Sequence, residues 1–322
     1  MKIPPLFGPY GSSALEFIGN FAKYGANAIW FHGFNRAAFE ICQKNDILAC
    51  VEFKTFRANF DEHPDLIPTG VDGRPMRYGR LVQGVCLSQP YFLEETEAAL
   101  LDGLREFRPA GIWLDYLTYA GWFETPNPDL QDTCFCLACI AEFCEATGVD
   151  AATPAQILNS AGDVWVKHKC ERVARFARRY AQLIRSHLPE CVIGAYMCPW
   201  LPDEYGGALK SIFAQDYDLL AESIDVFTPL IYCTKSGRDD GWGRRFLEAA
   251  PGFVPAGRPV QLILDALEYP GSLLAAAEST VPSWGMQIFD GGKVFGDAAK
   301  AAVFAKAAGQ IREKFPPHSP GC

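Results

Sequence analysis

Short runs of β-branched and aromatic residues alternate with longer amphipathic stretches along this chain, the pattern of βα units around a parallel sheet. Eight strands are predicted, over 5–8, 28–32, 47–54, 111–117, 191–197, 224–233, 259–266 and 285–290. The first is thinly patterned, because prolines lead it and little of it is β-branched. Helices are expected near 12–24, 35–45, 91–107, 137–187 with a break, 205–221, 241–250, 271–281 and 296–313. The clearest helical period puts Val166, Cys170, Val173, Ala177, Tyr180 and Ile184 on one face. Arg and Lys fall mostly on the other faces, as an outer helix of a barrel requires. The predicted fold is α/β, a (β/α)8 TIM barrel forming one catalytic domain over 1–314, followed by a flexible C-terminal tail over 315–322. An open doubly wound sheet is the competing fold, but no GxGxxG or P-loop follows an early strand.

Two connections are too long for plain βα loops, residues 56–90 and 119–132. Both leave the C-terminal ends of adjacent strands, the third and fourth, where a barrel keeps its chemistry. Composition narrows the partners. The 29 Lys and Arg against 38 Asp and Glu give a net charge of −9, which disfavours nucleic acid and anionic membrane surfaces. No apolar run is long enough for a membrane span, and the opening MKIPPLFGPYGSS has no apolar signal-peptide core, so a cytoplasmic location is expected. A homo-oligomer is left open. Twelve Cys in such a chain point to thiols or a metal rather than to disulfides.

Cys134-Phe-Cys136-Leu-Ala-Cys139 is the most specific local motif. Three thiols so closely spaced can wrap one ion, and a tetrahedral Zn2+ needs a fourth ligand. Cys86, at the end of the other long loop, is preferred for that place, with Cys144 as the rival. Four thiolates leave no open position for water, so the expected zinc is structural and clips two rim loops together. The remaining cysteines sit mostly in apolar runs and read as buried free thiols.

From Cys86 through the CxCxxC motif, the chain resembles the zinc-clipped loops of family 42 β-galactosidases and related glycoside-hydrolase barrels. Those carry a Cys-Pro-Asn-Ser-Pro-like segment after the third strand and Cys-Tyr-Cys-x-x-Cys after the fourth. Gly-Ile-Trp-Leu-Asp115-Tyr and Phe-Thr-Pro-Leu-Ile-Tyr232 are similar to strand ends of uncharacterised glycosyl hydrolases, and the resemblance covers about residues 28–235. It implies a barrel, the zinc clip and sugar hydrolysis. The acid/base roles do not carry over, because family 42 ends its fourth strand with Asn-Glu where this chain has Leu114-Asp115.

Glycoside hydrolysis needs two carboxyl groups across the scissile bond, and a barrel supplies them from different strand ends. Asp115 is the leading candidate, because it ends an apolar strand where a carboxylate is costly unless paired or at the rim. Asp265, Glu52 and Glu124 are candidates for its partner. Trp30, His32, Trp122, Tyr196, Tyr232 and Asp290 are expected to contact a carbohydrate substrate, since aromatic faces stack on sugar rings. A metal-dependent amidohydrolase is disfavoured, because only His32 lies at a strand end. Two alternatives stand beside the glycosidase: a carbohydrate-binding barrel without activity, and a phosphate-binding isomerase or aldolase using Asp290-Gly-Gly-Lys293 or a Schiff base at Lys54.

Overall fold

Each apolar run forms a parallel strand in the computed structural model, which describes residues 4–76, 84–124, 128 and 130–315. The strands are β1 (Leu6–Pro9), β2 (Ala28–His32), β3 (Leu48–Lys54), β4 (Gly111–Asp115), β5 (Val192–Met197), β6 (Val226–Ile231), β7 (Leu262–Asp265) and β8 (Gly285–Phe289). Their order around the sheet is β1-β8-β7-β6-β5-β4-β3-β2, every pair parallel. The seam between β1 and β2 is stitched by Asn27 N–H to Phe7 O and Gly11 N–H to Trp30 O, both 2.9 Å. Together these make a (β/α)8 barrel. Closure demands glycine on both sides of β1. A Cβ on Gly8 would lie 1.8 Å from Ala28 O, and one on Gly285, at φ 85°, 1.8 Å from Leu6 O.

Trp113 fills the barrel axis. Its indole meets Trp30 edge to face at 5.3 Å and donates Nε1–H to Thr228 Oγ1 at 2.7 Å. A Cβ on Gly111 or Gly194 would come within 2.5 Å of that ring, so both strands carry glycine where they face it. Beside it runs a buried polar row. The Gln287 amide lies 2.8 Å from the Tyr196 hydroxyl and 2.7 Å from the Gln261 amide, and Gln261 Nε2 donates to Leu6 O at 2.9 Å.

Four helices bear on the site: α1 (Arg36–Lys44), α2 (Pro90–Glu106), α3 (Leu137–Thr147) and α4 (Pro154–His187). The expected break in 137–187 falls between α3 and α4. Gly148, in a left-handed conformation, ends α3, and a Thr153–Gln156 capping box with Pro154 in the first turn starts α4. The predicted face of α4 is buried from Cys170 to Ile184, but two cations leave the polar face: Lys169 is wholly buried and Arg172 nearly so.

Two predicted helices take other forms. Residues 12–24 fold as 3-10 segments Ser12–Asn20 and Ala22–Tyr24, with no side-chain cap on the first. Residues 205–221 break into Glu204–Gly206, Ala208–Ser211 and Tyr217–Leu220, because Gly206 and Gly207 are both left-handed. No helix among the described residues is long and apolar enough to cross a membrane. Of the expected tail, Phe315 packs on the core and 316–322 lie outside the described residues.

Gly8→Ala is expected to destabilise the fold by about 2–4 kcal/mol, since the new methyl overlaps a strand carbonyl that cannot move without opening the seam. Thermal and urea unfolding measure it; an unchanged midpoint contradicts the seam geometry.

Candidate active site

The C-terminal ends of the strands open into a cavity of about 330 Å³. Two of the carboxyls at its floor come from neighbouring strand ends. Glu52 points inward from β3 and is almost fully buried, and Asp115 ends β4 beside it. The chain turns sharply after Asp115. Tyr116 takes a left-handed φ of 56°, and its N–H donates to Asp115 Oδ1 at 2.9 Å.

Glu52 and Asp115 share a hydrogen bond, and their titrations are linked. Burial, then the adjacent Asp115 charge, pushes the Glu52 carboxyl far above the ordinary range, only partly offset by Lys54 and Arg57. Asp115 is also raised by burial, but its hydrogen bonds from Glu52 and from the Tyr116 amide favour its ionised form. One proton is therefore held between them, on Glu52. Around it, Tyr10 donates its hydroxyl to Glu52 Oε2, and His32 Nδ1 lies 2.8 Å from Glu52 Oε1. His32 is lowered to about 4 by burial and by Lys54 and Arg57, so it is neutral at pH 7. A neutral ring beside a protonated carboxyl is self-consistent.

The same cavity is lined by a further acidic group. Glu124, on the loop after β4, lines the same space, and burial raises its carboxyl above the ordinary range while Lys235 draws it back. Lys235 sits 3.0 Å from Asp265 Oδ2 and within 4.7 Å of the Tyr232 and Phe289 ring centres. Tyr10 stacks on Phe289 at 5.4 Å, and Trp122 stacks on Phe123 at 5.5 Å, giving the cavity aromatic walls.

Of the residues expected at the site, Glu52, Asp115, Glu124, His32, Trp122, Tyr196 and Tyr232 line this cavity. Three do not. Trp30 is fully buried against Trp113 beneath the floor, because its place in β2 turns it into the barrel interior. Asp265 is buried, paired with Lys235, and accepts the Leu267 N–H. Asp290 pairs with Lys293 outside the cavity. Trp200, after β5, is buried against Tyr205 and Phe213. Sequence reasoning missed Tyr10, Arg57, Tyr116, Gln215 and Lys235 in the lining. Tyr10 and Tyr116 each follow a strand end directly, a signal that could have found them.

Beside the cavity, the two long loops meet at the cysteines. Cys86, Cys134, Cys136 and Cys139 place their sulfurs within 4.8 Å of one another, a group able to hold a metal ion. Cys86 Sγ is 3.7 Å from Cys136 Sγ and 3.8 Å from Cys139 Sγ. Cys144 stands apart and donates to Ala151 O at 3.2 Å. Backbone amides point at the cluster, Thr69 N–H to Cys134 Sγ at 3.3 Å and Cys139 N–H to Cys136 Sγ at 3.4 Å. Cys42, Cys50, Cys170, Cys191, Cys198 and Cys233 are buried free thiols.

No family model matches the sequence, and no curated protein does. Solved structures do match in fold. The glycoside hydrolase domain of PgaB (BpsB) from Bordetella bronchiseptica aligns with a TM-score of 0.71 over 94% of this chain and 98% of that one, at 10% identity. A β-galactosidase from the Antarctic haloarchaeon Halorubrum lacusprofundi gives 0.65 over 95% of this chain and 58% of its own, at 14% identity. Gan42B, a GH42 β-galactosidase from G. stearothermophilus, gives 0.65 over 96% and 56%, at 11% identity. The chain thus spans little more than half the length of these β-galactosidases. At such identities the likeness is one of fold: a (β/α)8 barrel whose structural neighbours are glycoside hydrolases.

Proposed function

We propose that this chain is a glycoside hydrolase acting on a carbohydrate at the rim cavity, with Asp115 and Glu124 as the two working carboxyls. The observation that carries the reading is the hydrogen-bonded Glu52–Asp115 pair, which faces the same cavity as Glu124. Carboxyls in a mutual hydrogen bond are closer than the about 5–5.5 Å needed to flank a scissile bond, so Glu52 and Asp115 act as one unit. Glu52 keeps the proton and Asp115 presents the charge. Asp115 then attacks the anomeric carbon or activates a water molecule. Glu124, whose carboxyl burial raises, delivers a proton to the leaving oxygen. Trp122, Tyr196 and Tyr232 offer ring faces and hydroxyls to the sugar, and His32 a neutral imidazole. Asp265 takes a supporting part, fixing Lys235 at the wall.

The cysteine group suits zinc. A Zn–S bond of about 2.3 Å implies tetrahedral S···S edges of about 3.8 Å, and the Cys86 contacts of 3.7 and 3.8 Å fit that spacing. Cys86, Cys134, Cys136 and Cys139 would fill all four positions, so the ion's contribution is to tie the loop after β3 to the loop after β4. The phosphate-binding reading finds less support, because Lys293 is engaged by Asp290, and Lys54 stands by Glu52 outside the cavity lining.

Asp115→Asn is expected to cut turnover of aryl glycosides by about 10²–10⁴-fold; undiminished turnover sinks the assignment. A wild-type protein that binds oligosaccharides but cleaves none of a broad aryl-glycoside panel would instead be a carbohydrate-binding barrel. The rate should be bell-shaped in pH. It rises as Asp115 loses its proton and falls as Glu124 loses its own, both limbs above the ordinary carboxyl range because both groups are raised. Glu52→Gln keeps a neutral hydrogen-bond donor beside Asp115, so the acidic limb should stay in place; a limb displaced to lower pH contradicts a proton held on Glu52. With Glu124→Gln the alkaline limb should vanish, and glycosides with poor leaving groups should suffer most; a retained alkaline limb excludes Glu124 as the acid. Cys134→Ser should reduce bound zinc below about half an equivalent by elemental analysis, against about one in the wild type.

A further inference from the structure

Arg172 is the charged side chain whose burial the barrel does not explain. It projects from α4, where Lys169 is the other buried Lys or Arg, and its side chain is only 3% exposed. It does not line the rim cavity. Its Nη1 donates to Cys139 Sγ at 3.8 Å and its Nη2 to Ser88 Oγ at 3.0 Å. Ser88 Oγ in turn lies 3.0 Å from Cys139 Sγ. The guanidinium thus reaches one sulfur twice, directly and through a hydroxyl. Glu142, 42% exposed on α3, accepts from Nη2 on the outer side.

Burying a guanidinium costs several kcal/mol unless a matching negative charge lies beside it. Glu142 supplies one from the solvent side, but it does not account for the inner end, which contacts Ser88 and Cys139. A divalent ion held by four thiolates leaves a surplus of about two negative charges. Two backbone amides and the Ser88 hydroxyl offer only dipoles to that surplus. Arg172 brings a full charge. Lys169, one turn earlier on α4, is committed elsewhere, to Asp132 and Ser211 O.

We propose that Arg172 is a positioning residue of the metal site: its buried guanidinium, set against Cys139 Sγ and Ser88 Oγ, is the counter-charge that offsets the surplus negative charge of four cysteines around a divalent ion. This inference rests on the zinc reading above. The same contacts make Arg172 the link between the barrel's outer layer and the clip, because α4 packs on the barrel while Ser88 lies in the loop after β3 and Cys139 in the first turn of α3.

The test is zinc affinity of the full chain, measured by competition with a chromophoric chelator, and zinc release rate after excess chelator is added. Arg172→Met should weaken zinc binding by about 10–100-fold and speed release correspondingly. Arg172→Lys, which keeps the charge and loses the fork, should recover most of the affinity. Glu142→Gln, which leaves the guanidinium on the sulfur, should bind zinc as the wild type does. Zinc affinity of Arg172→Met within about twofold of wild type overturns the proposal, and so does Arg172→Lys as weak as Arg172→Met. If Arg172→Met does not fold, the Lys and Gln variants decide alone: the proposal falls if Glu142→Gln loses zinc and Arg172→Lys does not hold it. A wild-type chain that binds no zinc overturns the metal reading itself, a result distinct from either of these.

Discussion

The indole of Trp113 on the barrel axis sets the depth of everything above it. With Gly111 and Gly194 giving it room and Trp30 against its face, the interior is dry up to the level of Glu52. A carboxylate in such a place cannot be solvated, and the cations nearby are too few and too distant to replace water, Lys54 standing 4.0 Å away. The site answers with a proton. Glu52 stays neutral, His32 beside it stays neutral, and the negative charge is left to Asp115, the less buried member of the pair.

The upper half of the site depends on a different kind of order. Barrel strands fix Glu52 and Asp115, but Trp122 and Glu124 belong to the connection after β4. That loop is held from behind. Tyr119 N–H donates to Phe213 O, Lys169 grips Asp132, and the four cysteines bring the same connection against the loop after β3. A site half on strands and half on a fastened loop combines fixed chemistry with a wall that other sequences can reshape.

Much of this was legible in the residues. The strands could be read because parallel barrel strands are buried on both faces and appear as continuous apolar runs. Asp115 stood out because it ends such a run, and the cysteines because their spacing is rare. Trp30 was misplaced for a physical reason: alternation tells which residues point inward but not at what height, and one layer separates substrate contact from core. Asp265 was misjudged similarly, since no pattern announces that Lys235, thirty positions earlier, covers it. Tyr10 escaped notice because β1 is short and proline-led. Lys169 and Arg172 depart from the outward faces expected for most Arg and Lys of α4, since helical period assumes one buried face and α4 has a second one against the connection after β4.

The row formed by Gln261, Gln287 and Tyr196 has its own consequence for how the barrel assembles. It ties β5, β8, the start of β7 and the carbonyl of Leu6 in β1 through atoms that must all find partners in a dry interior. Apolar contacts between parallel strands tolerate sliding, whereas a hydrogen-bonded row does not. Moving β8 by one residue would turn Gln287 to the helix side and take its partner from Gln261 Oε1 and from the Tyr196 hydroxyl. The row therefore acts as an indexing pin. It admits one stagger of the strands, and with it one set of strand ends at the rim.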